Sequence, residues 1–256
     1  MSATAYTEHF DFARVTGRAY DVVRRNFTLL VALTAILYGL PKLGATFLHL
    51  TMGDHGFFHF VFGLTAGFYA LIACFGFLAL QSAVVHAFAA DLNDRPASIG
   101  ACLRTGLTFL LPVLGLFLVY ALGVAFGLVL LIVPGLFLAT IWAVSMPGLV
   151  VERLGVGDAL RRSAQLTQGY RWQLFGIGAV FVLISSMIHG ALDHGGPFSD
   201  GFGIFSFAGR VARELIVDIV DSVFALIGAV LTTSVYYELR LLKEDAGPEE
   251  LAAILD

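Results

Sequence analysis

The dominant pattern in the chain is a series of long apolar segments separated by short polar connections. Six segments are candidate membrane spans, at residues 27–50, 58–88, 106–132, 135–151, 172–192 and 215–237. A bilayer core about 30 Å thick is crossed by about 20 helical residues, and most of these segments reach that length. Their apolar residues are continuous and do not alternate with a period of two, which indicates helices rather than strands. The pattern predicts an all-α, polytopic bundle of six transmembrane helices.

The boundaries of these spans follow from their length and their prolines. The fourth segment is the shortest and contains Pro147, whereas the second and third exceed one span and are expected to tilt or to extend into water. Pro134 and Gly135 separate the third and fourth segments, and such a pair predicts a tight turn. The predicted organisation is an interfacial N-terminal helix over residues 1–26, a transmembrane domain over 27–237 and a C-terminal tail over 238–256.

Three polar connections have the spacing of amphipathic helices. In the first, apolar residues recur at helical intervals beside basic ones: Phe12, Val15, Ala19, Val22 and Phe27, with Arg14, Arg18, Arg24 and Arg25. This pattern is typical of a helix that lies in the lipid headgroup plane. The second connection covers residues 99–104 and the third 158–167, with Asp158 as the predicted N-cap and Gly169 as the stop. Each connection precedes two spans, so we predict three units of one interfacial helix and one transmembrane hairpin.

The distribution of Lys and Arg predicts how the spans are oriented. If both termini are cytoplasmic, twelve of the 15 Lys and Arg residues fall on the cytoplasmic side. Only Lys42, Arg210 and Arg213 fall on the other side. Basic residues concentrate on the cytoplasmic side of membrane proteins, so this distribution favours six spans over five and places both termini in the cytoplasm.

Composition supports the membrane interpretation and excludes several classes. Of 256 residues, 58% are hydrophobic and only 13% are charged, against about 45–50% and about 25% in soluble domains. The net charge is −4 and no basic run is present, so we expect no nucleic-acid partner. The two cysteines, Cys74 and Cys102, cannot by themselves form a disulfide framework or a metal cage.

A motif around the fourth span is similar to one found in a bacterial family. Pro147 to Glu152 matches P-x-x-x-V-E at the end of a span, and Ala159 to Gly169 matches A-L-x-R-S-x-x-L-T-x-G. The chain thereby resembles the membrane domain found beside glycerophosphoryl diester phosphodiesterases, with the specific similarity confined to residues 134–172. The spans use nearly the whole chain and leave no place for the catalytic barrel of those enzymes. The resemblance therefore implies a protein of the bacterial inner membrane and not phosphodiesterase activity.

Histidines are concentrated on the side predicted to be extracytoplasmic. His55 and His59 are four residues apart, as are His189 and Asp193, and this spacing can place two metal ligands on one helical face. Together with His194, these residues form a candidate metal site. No H-E-x-x-H signature accompanies them, and loops accommodate histidine well, so a structural role is favoured.

Three acidic residues open the sixth span and share one helical stripe: Glu214, Asp218 and Asp221. Acidic groups inside a membrane are costly and are candidates for a proton or cation path. Counting back about 20 residues from Tyr237 reaches Asp218, which places it at the outer edge. Acids at a helix N-terminus also offset its dipole, and Arg210 is spaced to pair with Glu214. We therefore favour a structural role for the stripe, with Asp221 as the residue to test for transport.

Arg161 and Arg162 on the third interfacial helix are candidate lipid-binding residues. Basic side chains near anionic lipid gain about 1 kcal/mol each, although simple anchoring of the topology would need no ligand.

The leading hypothesis is a non-enzymatic membrane protein that organises lipid or a partner protein of the membrane or cytoplasm. The alternatives are a small transporter or channel using the acidic stripe, and an intramembrane metal-dependent enzyme using the outer histidines. No cofactor is expected, because the sequence carries no Walker loop or Rossmann fingerprint.

Overall fold

A computed structural model of the chain describes residues 10–52, 59–93, 95–194 and 206–244, and contains no strand within those ranges. The helices are α1 (Phe12–Arg25), α2 (Phe27–Thr34), α3 (Leu40–Met52), α4 (His59–Leu92), α5 (Ile99–Thr108), α6 (Leu110–Leu130), α7 (Ile132–Ile141), α8 (Ser145–Val151), α9 (Val156–Leu166), α10 (Arg171–His194) and α11 (Ser206–Glu244). A π-helical turn, Ala35–Gly39, joins α2 to α3. The predicted all-α class is confirmed.

Six segments of the described chain are long and apolar enough to cross a membrane. They are Phe27–Phe47, Gly67–Leu92, Leu110–Leu130, Ile132–Val151, Arg171–Leu192 and Val211–Glu244. The predicted number of spans is therefore confirmed. The sixth segment continues past residue 237 to Glu244, and the buried Glu238 and Arg240 in this extension both form ion pairs.

Each pair of spans follows a short amphipathic helix, which confirms the predicted three units. Helix α1 precedes the first pair, α5 the second and α9 the third. In α1, Val15, Ala19 and Val22 are buried, whereas Phe12 and Tyr20 are exposed. We call the side of the bundle that carries α1, α5 and α9 the collar face.

The best-packed part of the bundle adjoins the collar face. The largest fully buried side chains include Tyr236, Phe88, Leu30, Leu149 and Leu166, all from the collar half of the structure. The rings of Phe88 and Tyr237 stack there with centroids 5.6 Å apart. By contrast, α10 exposes a row of large apolar side chains, as expected for a helix whose outer side faces lipid.

Two local predictions were wrong in position. The turn between the third and fourth spans lies at the extended residue Leu131, and Pro134 and Gly135 lie inside the first turn of α7. The first turn of a helix tolerates proline, because the N–H groups there have no helical partner. Likewise, Gly155 is the N-cap of α9 and Asp158 lies in its first turn, where its charge offsets the helix dipole.

Candidate functional site

Charged side chains from three helices meet inside the candidate spans, in the half of the bundle away from the collar face. Lys42 comes from α3, His189 from α10, and Asp218 and Asp221 from α11. All four positions lie within segments that could cross a membrane. Together with Thr46 they form what we call the polar cluster.

Lys42 joins the two carboxylates of the polar cluster. Its Nζ lies 3.3 Å from Asp218 Oδ1 and also forms an ion pair and hydrogen bond with Asp221 Oδ2. Thr46 Oγ1 donates a hydrogen bond of 2.9 Å to the other oxygen of Asp218. The Asp218 side chain is only 4% exposed, so these partners take the place of water. The ring of Tyr38 lies 5.8 Å from Lys42 Nζ and adds a cation–π contact.

His189 completes the cluster through both of its ring nitrogens. Nδ1 lies 2.7 Å from the carbonyl oxygen of Ser185, and Nε2 lies 2.6 Å from Asp221 Oδ1. Nδ1 also lies 3.4 Å from the Ser185 hydroxyl, and it donates to the carbonyl oxygen in the tautomer that carries a proton on Nδ1. The short contact with Asp221 needs a second proton, either on Nε2 or on the carboxyl group. In that tautomer the geometry gives the His189–Asp221 pair room for one more proton than a neutral imidazole beside a carboxylate.

The charges of the polar cluster balance only in this protonated form. The two carboxylates bring two negative charges, Lys42 brings one positive charge, and the extra proton of the His189–Asp221 pair brings the sum to zero. An uncompensated charge inside a membrane span is costly. The protonated pair is thus the state that suits a site inside the spans.

The first span approaches α4 closely at the level of the π-helical turn. An alanine Cβ at Gly76 of α4 would overlap the carbonyl oxygen of Leu37 and lie 2.9 Å from its carbonyl carbon. Leu37 belongs to the π-helical turn that precedes Lys42 along the first span. Such turns are rare inside helices and are frequent at functional sites.

A cleft of about 620 Å³ extends from the polar cluster toward the collar face. Along α11 its wall begins at Asp221 and ends at Val235, a length of about 20 Å at the rise of an α-helix. Asp221 is the one charged side chain among the described residues that line it. The rest of the wall comes mainly from α4, α6, α8 and α10 and is predominantly apolar.

Aromatic side chains are unusually frequent in the wall of this cleft. They are Tyr38, Phe77, Phe117, Tyr120, Trp142, Phe181 and Phe224. Gln81 also lines the cleft and brings a polar side-chain amide to it. A pocket of this size, apolar with a few polar groups, is typical of sites that bind small molecules.

The two arginines predicted to bind lipid differ in their surroundings. Arg162 is 21% exposed and pairs with Glu152, at 2.8 Å, and with Glu244. Burial lowers the pKa of the Arg162 guanidinium, but hydrogen bonds and charges from Glu244 and Glu152 outweigh burial and raise it overall. Arg161 is 77% exposed, and its described ion-pair partner is Asp158 at 3.8 Å. Lipid binding by these residues stays a prediction, and the exposed Arg161 is the better placed of the two.

The motif that carries the family resemblance forms part of the collar packing. The fourth span is interrupted after Ile141, and Ser163 and Thr167 of the motif both donate hydrogen bonds to the carbonyl oxygen of Ile141, at 2.7 and 3.3 Å. The backbone N–H of Val144 in turn donates to Ser163 Oγ. Interrupted helices leave backbone groups that need such partners inside a membrane. These motif residues therefore hold α9 against the interrupted span.

The predicted metal set is only partly within the described structure. His55 lies outside the described residues, and the side chains of His59, Asp193 and His194 are likewise outside what the structure describes. His189 has both ring nitrogens in hydrogen bonds and presents neither to a metal in this arrangement. Within the described ranges no group of three potential ligands converges. A metal site on this side of the protein stays a prediction.

The polar cluster contains an ion pair that the sequence did not predict. Lys42, which was not predicted as a partner of the acidic stripe, pairs with Asp218 and Asp221, whereas the predicted pairing of Arg210 with Glu214 concerns a side chain outside what the structure describes. Glu214 contacts Arg213 at 3.0 Å and is not part of the cluster. One signal in the sequence could have indicated this pairing. Lys42 is an isolated charged residue in an otherwise apolar segment, and a charged residue within a span needs a partner.

Comparisons with known proteins identify no relative of this chain. No protein-family model matches it, and neither the curated proteins nor the solved structures contain a significant match. The resemblance to the membrane domain of glycerophosphoryl diester phosphodiesterases therefore stays a prediction.

Proposed function

We propose that the protein is a proton-coupled membrane transporter in which the His189–Asp221 pair carries the proton. The observation that supports this proposal is the short contact between His189 Nε2 and Asp221 Oδ1, 2.6 Å, inside a charge-balanced cluster. Ionisable groups that face the interior of a membrane bundle commonly form proton relays and substrate sites. The cleft that begins at Asp221 provides the adjoining space for a substrate.

Release of the proton from the His189–Asp221 pair drives a conformational change. In the deprotonated pair, the lone pair of His189 Nε2 faces the Asp221 carboxylate across a short distance, and the polar cluster carries one net negative charge. The two groups then repel each other and α10 moves away from α11. Helix α10 is suited to this movement because it exposes most of its length, with Leu183 and Met187 both well over half exposed.

Transport is tested with purified protein in lipid vesicles that contain a pH-sensitive dye, with the membrane potential clamped by potassium and valinomycin. Small organic ammonium, carboxylate and sugar solutes are added one class at a time. We expect at least one class to accelerate proton movement in wild-type vesicles, because substrate and proton cross together or in exchange. Asp221→Asn removes the charge with little change of shape and should abolish this acceleration.

The matched control is Asp158→Asn, which makes the same chemical change at an exposed carboxylate of α9. It should behave as the wild type. Wild-type vesicles in which no solute class changes the internal pH, although the protein is inserted and folded, would contradict the proposal.

The exposure of Arg161 favours a second candidate function, the organisation of anionic lipid at the collar face. This function needs no enzymatic activity and no cofactor, and its partners would be lipids or a membrane or cytoplasmic protein. It is compatible with transport, since the collar and the polar cluster lie in different halves of the bundle. In either case we propose that the protein resides in the bacterial inner membrane with cytoplasmic termini, as its basic residues predict.

A further inference from the structure

We infer that the cleft binds lipophilic cations, molecules with an apolar, preferably aromatic body and one positive charge. This inference deepens the proposed function and names its substrate class. The cleft begins at Asp221, the one charged group among the described residues of its wall. A ligand that enters the cleft therefore meets one carboxylate, whose oxygens contact Lys42 and His189, and no other charged group along the described wall.

The polarity of the cleft selects against small hydrophilic cations. Most of its wall is apolar, so a strongly hydrated ion would lose its water without replacement. An apolar body gains from leaving water in the same space, and 620 Å³ is in the range of pockets that hold drug-sized molecules. The preferred ligand thus combines an apolar body with a delocalised or shielded charge.

The aromatic side chains add a specific attraction for positive charge. Faces of tryptophan and tyrosine attract cations within about 6 Å, most strongly where water is excluded. Trp142 and Tyr120 lie beside each other in the wall, with ring centroids 6.3 Å apart, and Phe181 and Phe224 form a second pair at 5.5 Å. The side-chain amide of Gln81 offers one further polar contact.

A cation at Asp221 and the proton of the His189–Asp221 pair exclude each other. The groups that face this carboxylate are Lys42 from α3 and His189 from α10, with Asp218 one turn away on α11. With the proton bound, the polar cluster is neutral, so a further positive charge would be uncompensated. When a cation binds, the proton leaves the pair for water and the cluster with its ligand is again neutral. One cation is therefore exchanged for one proton.

Binding is measured with purified protein in detergent and radiolabelled tetraphenylphosphonium as the probe. Wild-type protein should bind it, and the affinity should fall as the pH is lowered because protons then occupy the pair. Asp221→Asn should weaken binding at least about tenfold, while Asp158→Asn should not change it.

Trp142→Leu should weaken binding about fivefold through the loss of a cation–π partner. The matched control is Trp172→Leu, since Trp172 is 83% exposed and lies outside the cleft wall.

Three results would overturn the inference. They are no binding by the wild type at any pH, equal binding by wild type and folded Asp221→Asn, or an affinity independent of pH. If tetraphenylphosphonium does not bind but another solute class moves protons in the vesicle assay, the inference about the cleft fails and the proposed function stands. If it binds with the expected pH dependence, the inference is supported even before transport has been measured.

Discussion

At the scale of single residues, neighbours in sequence have different physical roles in this protein. Arg162 is part of a partly buried ionic network that also contains Glu152, Tyr236 and Glu244, and Tyr236 donates a hydrogen bond of 2.6 Å to Glu152. Arg161, the preceding residue, points to the surroundings of the collar. Because the network joins α9 to the end of α11, Arg162 stabilises the fold, while Arg161 is available to anionic headgroups.

This difference predicts that two glutamine variants affect different properties, the stability of the protein and its content of anionic lipid. Arg162→Gln should lower the free energy of unfolding by about 2 kcal/mol, since it removes the ion-pair partner of Glu152 and leaves Glu244 with Arg240 alone. Arg161→Gln should change stability by less than about 0.5 kcal/mol, as is usual for an exposed pair. It should instead reduce the anionic lipid that co-purifies with the protein. Denaturant titration and lipid mass spectrometry measure the two effects. Unchanged lipid in Arg161→Gln would count against lipid binding by this residue.

At the scale of helices, the apolar pattern predicted most of the architecture, and the contacts between helices explain the rest. The six spans and three amphipathic helices follow from local hydrophobicity and helical period, and both can be read from the amino-acid sequence. The π-helical turn could not be predicted from the apolar pattern, and in the structure it lies where the backbone of Leu37 meets Gly76 of α4. Likewise, the interruption of the fourth span depends on Ser163 and Thr167, which reach it from α9.

Gly76 provides a direct test of the contact between the first and second spans. Gly76→Ala places a methyl group against the backbone of Leu37, which cannot rotate away, so stability should fall by about 2 kcal/mol or more. Gly67→Ala is the matched control on the same helix, since its new methyl group would meet no atom of the described residues within 4 Å. The melting temperatures of the two variants are compared by thermal unfolding in detergent. Equal melting temperatures for the two variants would mean that the close contact at Leu37 is absent.

At the scale of the whole molecule, two polar layers are separated by an apolar interior. Ion pairs surround Glu238 and Glu152 at the collar face, and the polar cluster lies in the opposite half. The acidic members of the polar cluster could be predicted from the sequence, but their pairing could not. Lys42 and Asp221 are separated by 179 residues, and His189 and Asp221 by 32, so only the packed bundle reveals that they meet.

The orientation of these layers predicts a pattern of chemical labelling. In a variant without Cys74 and Cys102, single cysteines are introduced by Ser199→Cys, Gly157→Cys and Gly247→Cys. Ser199 and Gly247 lie outside the described residues, whereas Gly157 is on α9, where a side chain has open space. An impermeant thiol reagent applied to cells with a permeable outer barrier should label only Ser199→Cys. Labelling of Gly157→Cys or Gly247→Cys from that side would overturn the predicted orientation.

The central claim is that the His189–Asp221 pair binds and releases one proton inside the membrane. It is tested most directly by infrared difference spectroscopy of the protein in lipid, recorded between acidic and alkaline pH. We predict that wild-type protein shows a carboxylic acid or imidazolium band that disappears at alkaline pH, and that this band is missing from both Asp221→Asn and His189→Gln. Identical difference spectra for wild type and the two folded variants would contradict the claim.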